Sequence, residues 1–158
     1  MIQRIQSLYL LVVCILFVSM IFSPLLFFSG DGYLYELNAS HFVQLSDQQV
    51  PVGDPLLDTY FILALEIVVA AIALFSIFLF RNRRLQMRLT IFSMVLQFGF
   101  YALMGVYLYA LLHGDDALSI SRCSLTVAFP LVGIILSYLA LRAIIRDEVL
   151  VSGLGRLR

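Results

Sequence analysis

The chain is 158 residues long, 62% apolar and only 13% charged, with a mean hydropathy of +1.01. A soluble domain is about half apolar and about a quarter charged, so composition excludes an ordinary water-soluble domain. Ten arginines, no lysine and ten acids sum to zero formal charge, a balance that points neither to nucleic acid nor to an anionic substrate.

The apolar residues fall into four blocks, each close to the length of about 20 residues that crosses a hydrocarbon core. The first covers residues 8–28. Arg4 ahead of an apolar run is also how a secretory signal begins, but the run is long and Ser23-Pro24-Leu25-Leu26-Phe27-Phe28-Ser29-Gly30 offers no small-x-small cleavage site. An uncleaved span is expected. Residues 29–59 form a 31-residue outer loop. Within it Tyr33, Tyr35 and Leu37 alternate with Leu34, Glu36 and Asn38 as in a half-exposed strand. Asn38-Ala39-Ser40 reads as a turn, 42–45 as a returning strand and 49–52 as a third short one. The same tripeptide matches a glycosylation pattern, which is read here as coincidence within a turn. Pro51, Gly53 and Pro55 predict irregular chain leading into the second span.

That second span is 60–80. A tight basic inner loop follows, Arg81-Asn82-Arg83-Arg84-Leu85-Gln86-Met87-Arg88, and then the third span, 89–112. The fourth is 123–141, with Arg142 positioned to snorkel. The tail is 142–158, in which Gly153 and Gly155 predict that helix ends near Val151. Nine arginines lie on one side of these spans; the other side has Arg122 with seven acids. The positive-inside rule then assigns both termini and the 81–88 loop to the cytoplasm. The expected fold class is all-α membrane: a four-transmembrane-helix up-down bundle whose outer loop forms a small β-hairpin or sheet.

Glu66 is the one ionisable side chain well inside a span, about 9 Å down its helix from Tyr60 at 1.5 Å per residue. A charged acid there costs on the order of 2–3 kcal/mol on insertion scales, which the surrounding Leu, Ile, Val and Phe outweigh. Ala70 and Ala73 share its face and admit a neighbouring helix. In the third span Thr90, Ser93, Gln97, Tyr101 and Gly105 recur at three- and four-residue spacing and so line one face. Gln97 and Tyr101 are the expected partners of Glu66. Two readings stay open: a hydrogen-bonded set that fixes packing with Glu66 protonated, or a proton-coupled or cation-binding centre. Gly133, Ser137 and Ala140 make a small-residue face on the fourth span, and Pro130 predicts a kink. Cys14 and Cys123 lie at different depths and are expected to be unlinked packing residues. His41 and His113 form no close metal pair, and no phosphate loop or Ser/His/Asp arrangement is legible. No cofactor is expected.

The decapeptide Met1-Ile2-Gln3-Arg4-Ile5-Gln6-Ser7-Leu8-Tyr9-Leu10 resembles a known family. So do Arg84-Leu85-Gln86-Met87-Arg88-Leu89, Arg146-Asp147-Glu148, Leu150-Val151 and Arg156-Leu157-Arg158. The family is the small four-span membrane proteins of Bacteroidota grouped as domain of unknown function 4293, and the likeness covers the whole chain in order and span count. It implies a bacterial inner membrane and four helices, and it implies no activity. Gly153-Leu154-Gly155 departs from the more polar sequence expected before the closing Arg-Leu-Arg.

These motifs all lie on the inner side, so Arg4, Arg81, Arg83, Arg84, Arg88, Asp147 and Glu148 are expected to form one cytoplasmic interaction surface. The expected function is that of a non-enzymatic accessory or structural subunit engaging a membrane partner. The alternative is a small proton-coupled transporter or channel centred on Glu66, oligomeric because four short helices enclose little. Expected partners are the lipid bilayer and either a membrane protein or a second copy of the chain, with no nucleic acid.

Overall fold

Pro24 decides where the first helix stops. It cannot donate to the Met20 carbonyl, and it biases Ser23 away from helical conformation. Helix α1 accordingly runs Gln3–Ile21, and the Ser23 amide and hydroxyl close its end by donating to the carbonyls of Met20 (3.0 Å) and Ser19 (2.9 Å). The computed structural model describes residues 3–30, 32–46, 51–79, 82–114 and 118–155. After α1 come four strands, β1 (Leu26–Gly30), β2 (Tyr33–Leu37), β3 (His41–Leu45) and β4 (Pro51–Asp58). Helices α2 (Tyr60–Phe78) and α3 (Arg83–Gly114) follow, then β5 (Ser119–Cys123), a 3-10 turn (Leu125–Ala128) and α4 (Phe129–Gly155).

The expected first span, 8–28, is therefore too long at its outer end. A short apolar run such as Leu26-Phe27-Phe28 has the same composition whether it is buried helix or buried strand. Here it is the strand β1, hydrogen-bonded on both sides within a five-stranded antiparallel sheet of order β4-β3-β2-β1-β5. The predicted two or three strands become five. Strands at 33–37 and 42–45 are found nearly as expected, and of the third, 49–52, only Pro51 and Val52 lie within the described residues. Pro51 and Pro55 stand in a strand rather than in irregular chain, which is tolerable because β4 is an edge strand. Between Val52 and Leu57 its register against β3 shifts, so 53–56 are absorbed as a bulge.

The sheet caps one end of the helices. Leu26, Phe28, Leu37 and Phe42 are buried with Val13, Phe17, Met20, Ile62, Phe100 and Met104 in one cluster. Phe42 meets Phe28 edge-on at 5.7 Å and stacks on Tyr35 at 5.6 Å. The turn Asn38-Ala39-Ser40 is fastened to the start of α2. Its three carbonyls accept from the Thr59 hydroxyl (2.9 Å), the Leu63 amide (3.2 Å) and the Thr59 amide (3.1 Å). The tripeptide is thus a structural corner.

Each helix contacts two neighbours, α1 with α2 and α4, and α3 with α2 and α4, so the four close into a ring. Hydrogen bonds from Gln97 to Ser137 and from Tyr101 to Val127 descend α4 as they climb α3, so those two helices are antiparallel. Three segments are long and apolar enough to cross a membrane, Tyr60–Phe78, Arg83–His113 and Leu125–Arg146; the described apolar part of α1, Ile5–Ile21, is shorter. Two further boundaries differ from the sequence reading. Residues 83–88 form the first turns of α3 rather than a loop, since Arg, Leu, Gln and Met are all good helix formers. Cys123 closes β5, so the fourth helix begins later than 123, and it continues through Gly153 to Gly155.

The pairing of β1 with β5 is directly testable. Ser29 and Ser119 are register partners, and such partners have Cα separations of about 4.5–5.5 Å, within the about 4.4–6.8 Å that a disulfide spans. With Cys14 and Cys123 replaced by alanine, Ser29→Cys with Ser119→Cys should form an intrachain disulfide under mild oxidation, read by intact mass. A Ser23→Cys and Ser119→Cys control should not. Equal linkage in both would remove β5 from this register.

Candidate functional site

Buried positions recur at three- and four-residue spacing on every helix: Gln6, Leu10, Val13, Phe17 and Met20 on α1; Ile62, Glu66, Val69, Ala73 and Ser76 on α2; Gln86, Thr90, Ser93, Gln97, Phe100 and Met104 on α3; Gly133, Ser137, Ala140 and Ile144 on α4. That spacing draws one inward stripe down each helix. The outward faces carry Leu8, Ile15, Phe61, Phe75, Phe92, Phe98 and Ile135, all exposed. Polar groups point in and large apolar groups out, the reverse of a helix in water.

Glu66 and Gln97 are both 0% exposed. Their heights follow from a neighbouring contact, because a Cβ on Gly99 would lie 3.9 Å from Leu65 Cδ1. Counting along two antiparallel helices from that contact puts Glu66 and Gln97 at one level to within about a helical turn. They share a layer without sharing a hydrogen bond. Gln97 Nε2 donates to Ser93 Oγ (3.1 Å) and Ser137 Oγ (3.2 Å). Its Oε1 lies over Gly133, where an added Cβ would stand 2.7 Å from it and 3.2 Å from Phe17 Cε2. Gly133 thus leaves the room that the Gln97 amide fills.

Tyr101 is engaged elsewhere. Its hydroxyl donates to the Val127 carbonyl (2.9 Å) and accepts from the Leu131 amide (3.0 Å). Those two backbone groups would be paired with each other in an unbroken α-helix. They are parted where the 3-10 turn meets α4, and the Tyr101 hydroxyl bridges the gap. Of the expected trio, the structure brings Glu66 and Gln97 to one level and gives Tyr101 a separate task at the start of α4.

Both carboxyl oxygens of Glu66 are buried without a hydrogen-bond partner, as are Gln97 Oε1, Ser76 Oγ and Gln6 Nε2. Buried polar atoms are nearly always partnered, so each exception calls for a reason. Their distribution is one-sided. From the Glu66–Gln97 layer toward the end bearing the termini, the inward residues include Ser93, Thr90, Gln86, Ser137, Ser76 and Gln6, among small and apolar neighbours. Toward the sheet they are Ile62, Phe100, Met104, Met20 and the apolar sheet residues, and among the described residues the only buried polar side chains are Thr59 and Thr126 at helix starts. Ser76 and Gln6 were not singled out by the sequence reading, although the position of Ser76, ten residues beyond Glu66, gives the same helix face.

A family model described as Domain of unknown function (DUF4293) matches residues 2–157. The chain belongs to that family. No curated protein matches it significantly.

In this DUF4293 chain the expected basic surface is partly described. Arg83 is half-buried, and Arg84 and Arg88 are exposed, on the first turns of α3. Cations in the first turn of a helix oppose its dipole, by about 0.3–1 kcal/mol each, and Arg83 and Arg84 stand in that turn. Arg4 lies on α1, and Asp147 and Glu148 on α4, at the same end of the ring; their side chains, and the whole of Arg81, lie outside those described. Among the described residues no three His, Cys, Asp or Glu gather closely enough to hold a metal. His41 is held in its turn by Ser40 Oγ (2.6 Å) and Asn38 Nδ2 (3.4 Å). Cys14 and Cys123 are free thiols.

The bonding pattern separates the two polar residues of the layer. Glu66→Leu removes two unpartnered oxygens and should raise thermal stability in detergent, whereas Gln97→Leu strands the Ser93 and Ser137 hydroxyls and should lower it, each by about 1–3 kcal/mol. A Glu66→Leu chain that melts earlier would mean that the carboxyl is structural.

Proposed function

We propose that this is a non-enzymatic integral protein of a bacterial inner membrane, crossing it four times as an up-down bundle with both termini in the cytoplasm, and that its function centres on proton binding and release at Glu66. The observation that carries this is the carboxyl itself, fully buried and hydrogen-bonded to neither Gln97 nor Tyr101. A packing role would use those oxygens. An unpaired carboxylate inside a membrane costs at least about 2.5–3.5 kcal/mol, whereas the protonated acid avoids most of that, so gain and loss of the proton is the transaction with the largest energetic consequence in the bundle. The polar residues between Glu66 and the termini favour exchange with the cytoplasmic side, and the apolar layer of Ile62, Phe100 and Met104 is the barrier that a proton passes to reach the outer side. This is the reading of a small proton-coupled transporter or channel.

Reconstituted into liposomes with an internal pH dye, the wild-type chain should carry protons down an imposed gradient, and Glu66→Gln should abolish that flux. Arg84→Glu with Arg88→Glu should leave it largely intact. Equal flux in wild type and Glu66→Gln would overturn the proposal.

A second reading, an accessory subunit that engages a membrane partner, draws on the exposed Arg84 and Arg88 at the unfavourable end of α3. Extraction in mild detergent followed by mass spectrometry tests it. A stoichiometric partner retained by Glu66→Gln and lost by Arg84→Glu with Arg88→Glu is the expected result on that reading. A chain recovered alone, or only with copies of itself, would sink it.

A further inference from the structure

At the end of the ring that bears the termini, a groove of about 360 Å³ lies between α1 and α4, lined by Ile5, Tyr9, Leu139, Arg142, Ala143 and Arg146. The composition of this groove is divided. Ile5, Leu139 and Ala143 give an apolar floor, and two guanidiniums with one phenol stand over it. On α4 the four residues recur at three- and four-residue spacing and so share one face, and Ile5 and Tyr9 share a face of α1. Arg142 and Arg146 are exposed, and among the described residues neither is hydrogen-bonded or paired with an acid. No acid occurs anywhere on α1.

Like charges four residues apart on a helix repel and destabilise it slightly. The Arg142–Arg146 pair is therefore a small liability until an anion lies between the two forks. We infer that this groove is a binding site for one anionic phospholipid, its phosphate held by Arg142, Arg146 and Tyr9 and the start of an acyl chain laid along Ile5, Leu139 and Ala143. The inference rests on reading α4 as a membrane span, which also fixes the depth. The apolar segment Leu125–Arg146 has 22 residues, about 33 Å of helix against a hydrocarbon core of about 30 Å. Arg146 then stands at the boundary and Arg142 about 6 Å inside it, so both forks converge on the phosphate plane from below. Guanidinium forks match phosphate oxygens in pairs, and basic pockets between helices on the cytoplasmic side are a known mode of anionic lipid recognition. The second basic corner, Arg84 and Arg88, carries the same charge without this groove and serves as the control.

The test is native mass spectrometry of the purified full-length chain in detergent, titrated separately with phosphatidylglycerol, phosphatidylcholine and inorganic phosphate. Phosphatidylglycerol should bind saturably as one molecule per chain, and the other two should not. Arg142→Gln with Arg146→Gln should weaken that binding at least tenfold. Arg84→Gln with Arg88→Gln should leave it within twofold. Ala143→Phe, which fills the floor and keeps both charges, should also abolish it, and this provides a second route if the double variant folds poorly. Equal weakening by both arginine pairs, equal binding of phosphatidylcholine, or saturation by phosphate alone would each overturn the site. Retention of each variant in carbonate-washed membranes, measured in parallel, separates loss of this site from failure of the membrane reading.

Discussion

A polar side chain on these helices has one direction open to it. The outward faces of all four are built from large apolar residues, and the inward stripes carry Gln6, Glu66, Ser76, Gln86, Thr90, Ser93, Gln97 and Ser137. On the proposed membrane reading this arrangement follows from the solvent, because hydrocarbon offers a polar group nothing to bond with and the neighbouring helix offers something. The rest of the architecture depends on it. Hydrocarbon supplies no hydrophobic force to draw helices together, so on that reading close contact at small residues and polar contact at the stripes hold the ring. Gly133, Gln97 and Phe17 do this in one place, since the missing Cβ of the glycine admits the amide that joins α3 to α4.

Satisfaction is uneven within that interior, and the unevenness is informative. Gln97 bonds to Ser93 and Ser137, and Tyr101 repairs the backbone where α4 begins. Both residues act as structural elements. Glu66 shares a level with Gln97 and makes no such bond. Its two oxygens are unpartnered, as are Gln97 Oε1, Ser76 Oγ and Gln6 Nε2, so unmet polar groups recur around the one acid buried among the described residues. The same asymmetry distinguishes the two halves of the ring, polar toward the termini and sealed by Phe100, Met104 and Ile62 toward the sheet.

Much of this was legible from spacing alone. Thr90, Ser93 and Gln97 at three- and four-residue intervals define one face in any α-helix, and the face proved to be the buried one. The partners of Glu66 were not legible, because sequence fixes which residues share a face but not how far a helix is rotated or slid against its neighbour. Tyr101, one turn beyond Gln97, is drawn to a break in α4 whose position depends on a 3-10 turn that periodicity does not register. The strands were harder for a related reason. Leu26-Phe27-Phe28 continues the hydropathy of α1 without interruption, and only Pro24 signals the change of geometry. β5, the exposed strand Ser-Ile-Ser-Arg-Cys, is too short and too polar to stand out before its partner is known. Pro51 and Pro55 were read as breakers, and an edge strand with a bulge accommodates both.

The sheet also imposes an order of events on the making of the chain. β1 hydrogen-bonds to β5, and the serines that join the two strands are 90 residues apart. Strands β1 to β4 can assemble as soon as the first sixty residues have been synthesised, but they do so with the inner edge of β1 open. That edge stays open while α2 and α3 are produced and inserted, and only the segment just ahead of α4 closes it. A chain interrupted before residue 119 would therefore leave β1 as an edge strand with one side unpaired, a ready template for pairing with another chain. The last helix thus completes the ring at one end of the molecule, and the strand that precedes it seals the other.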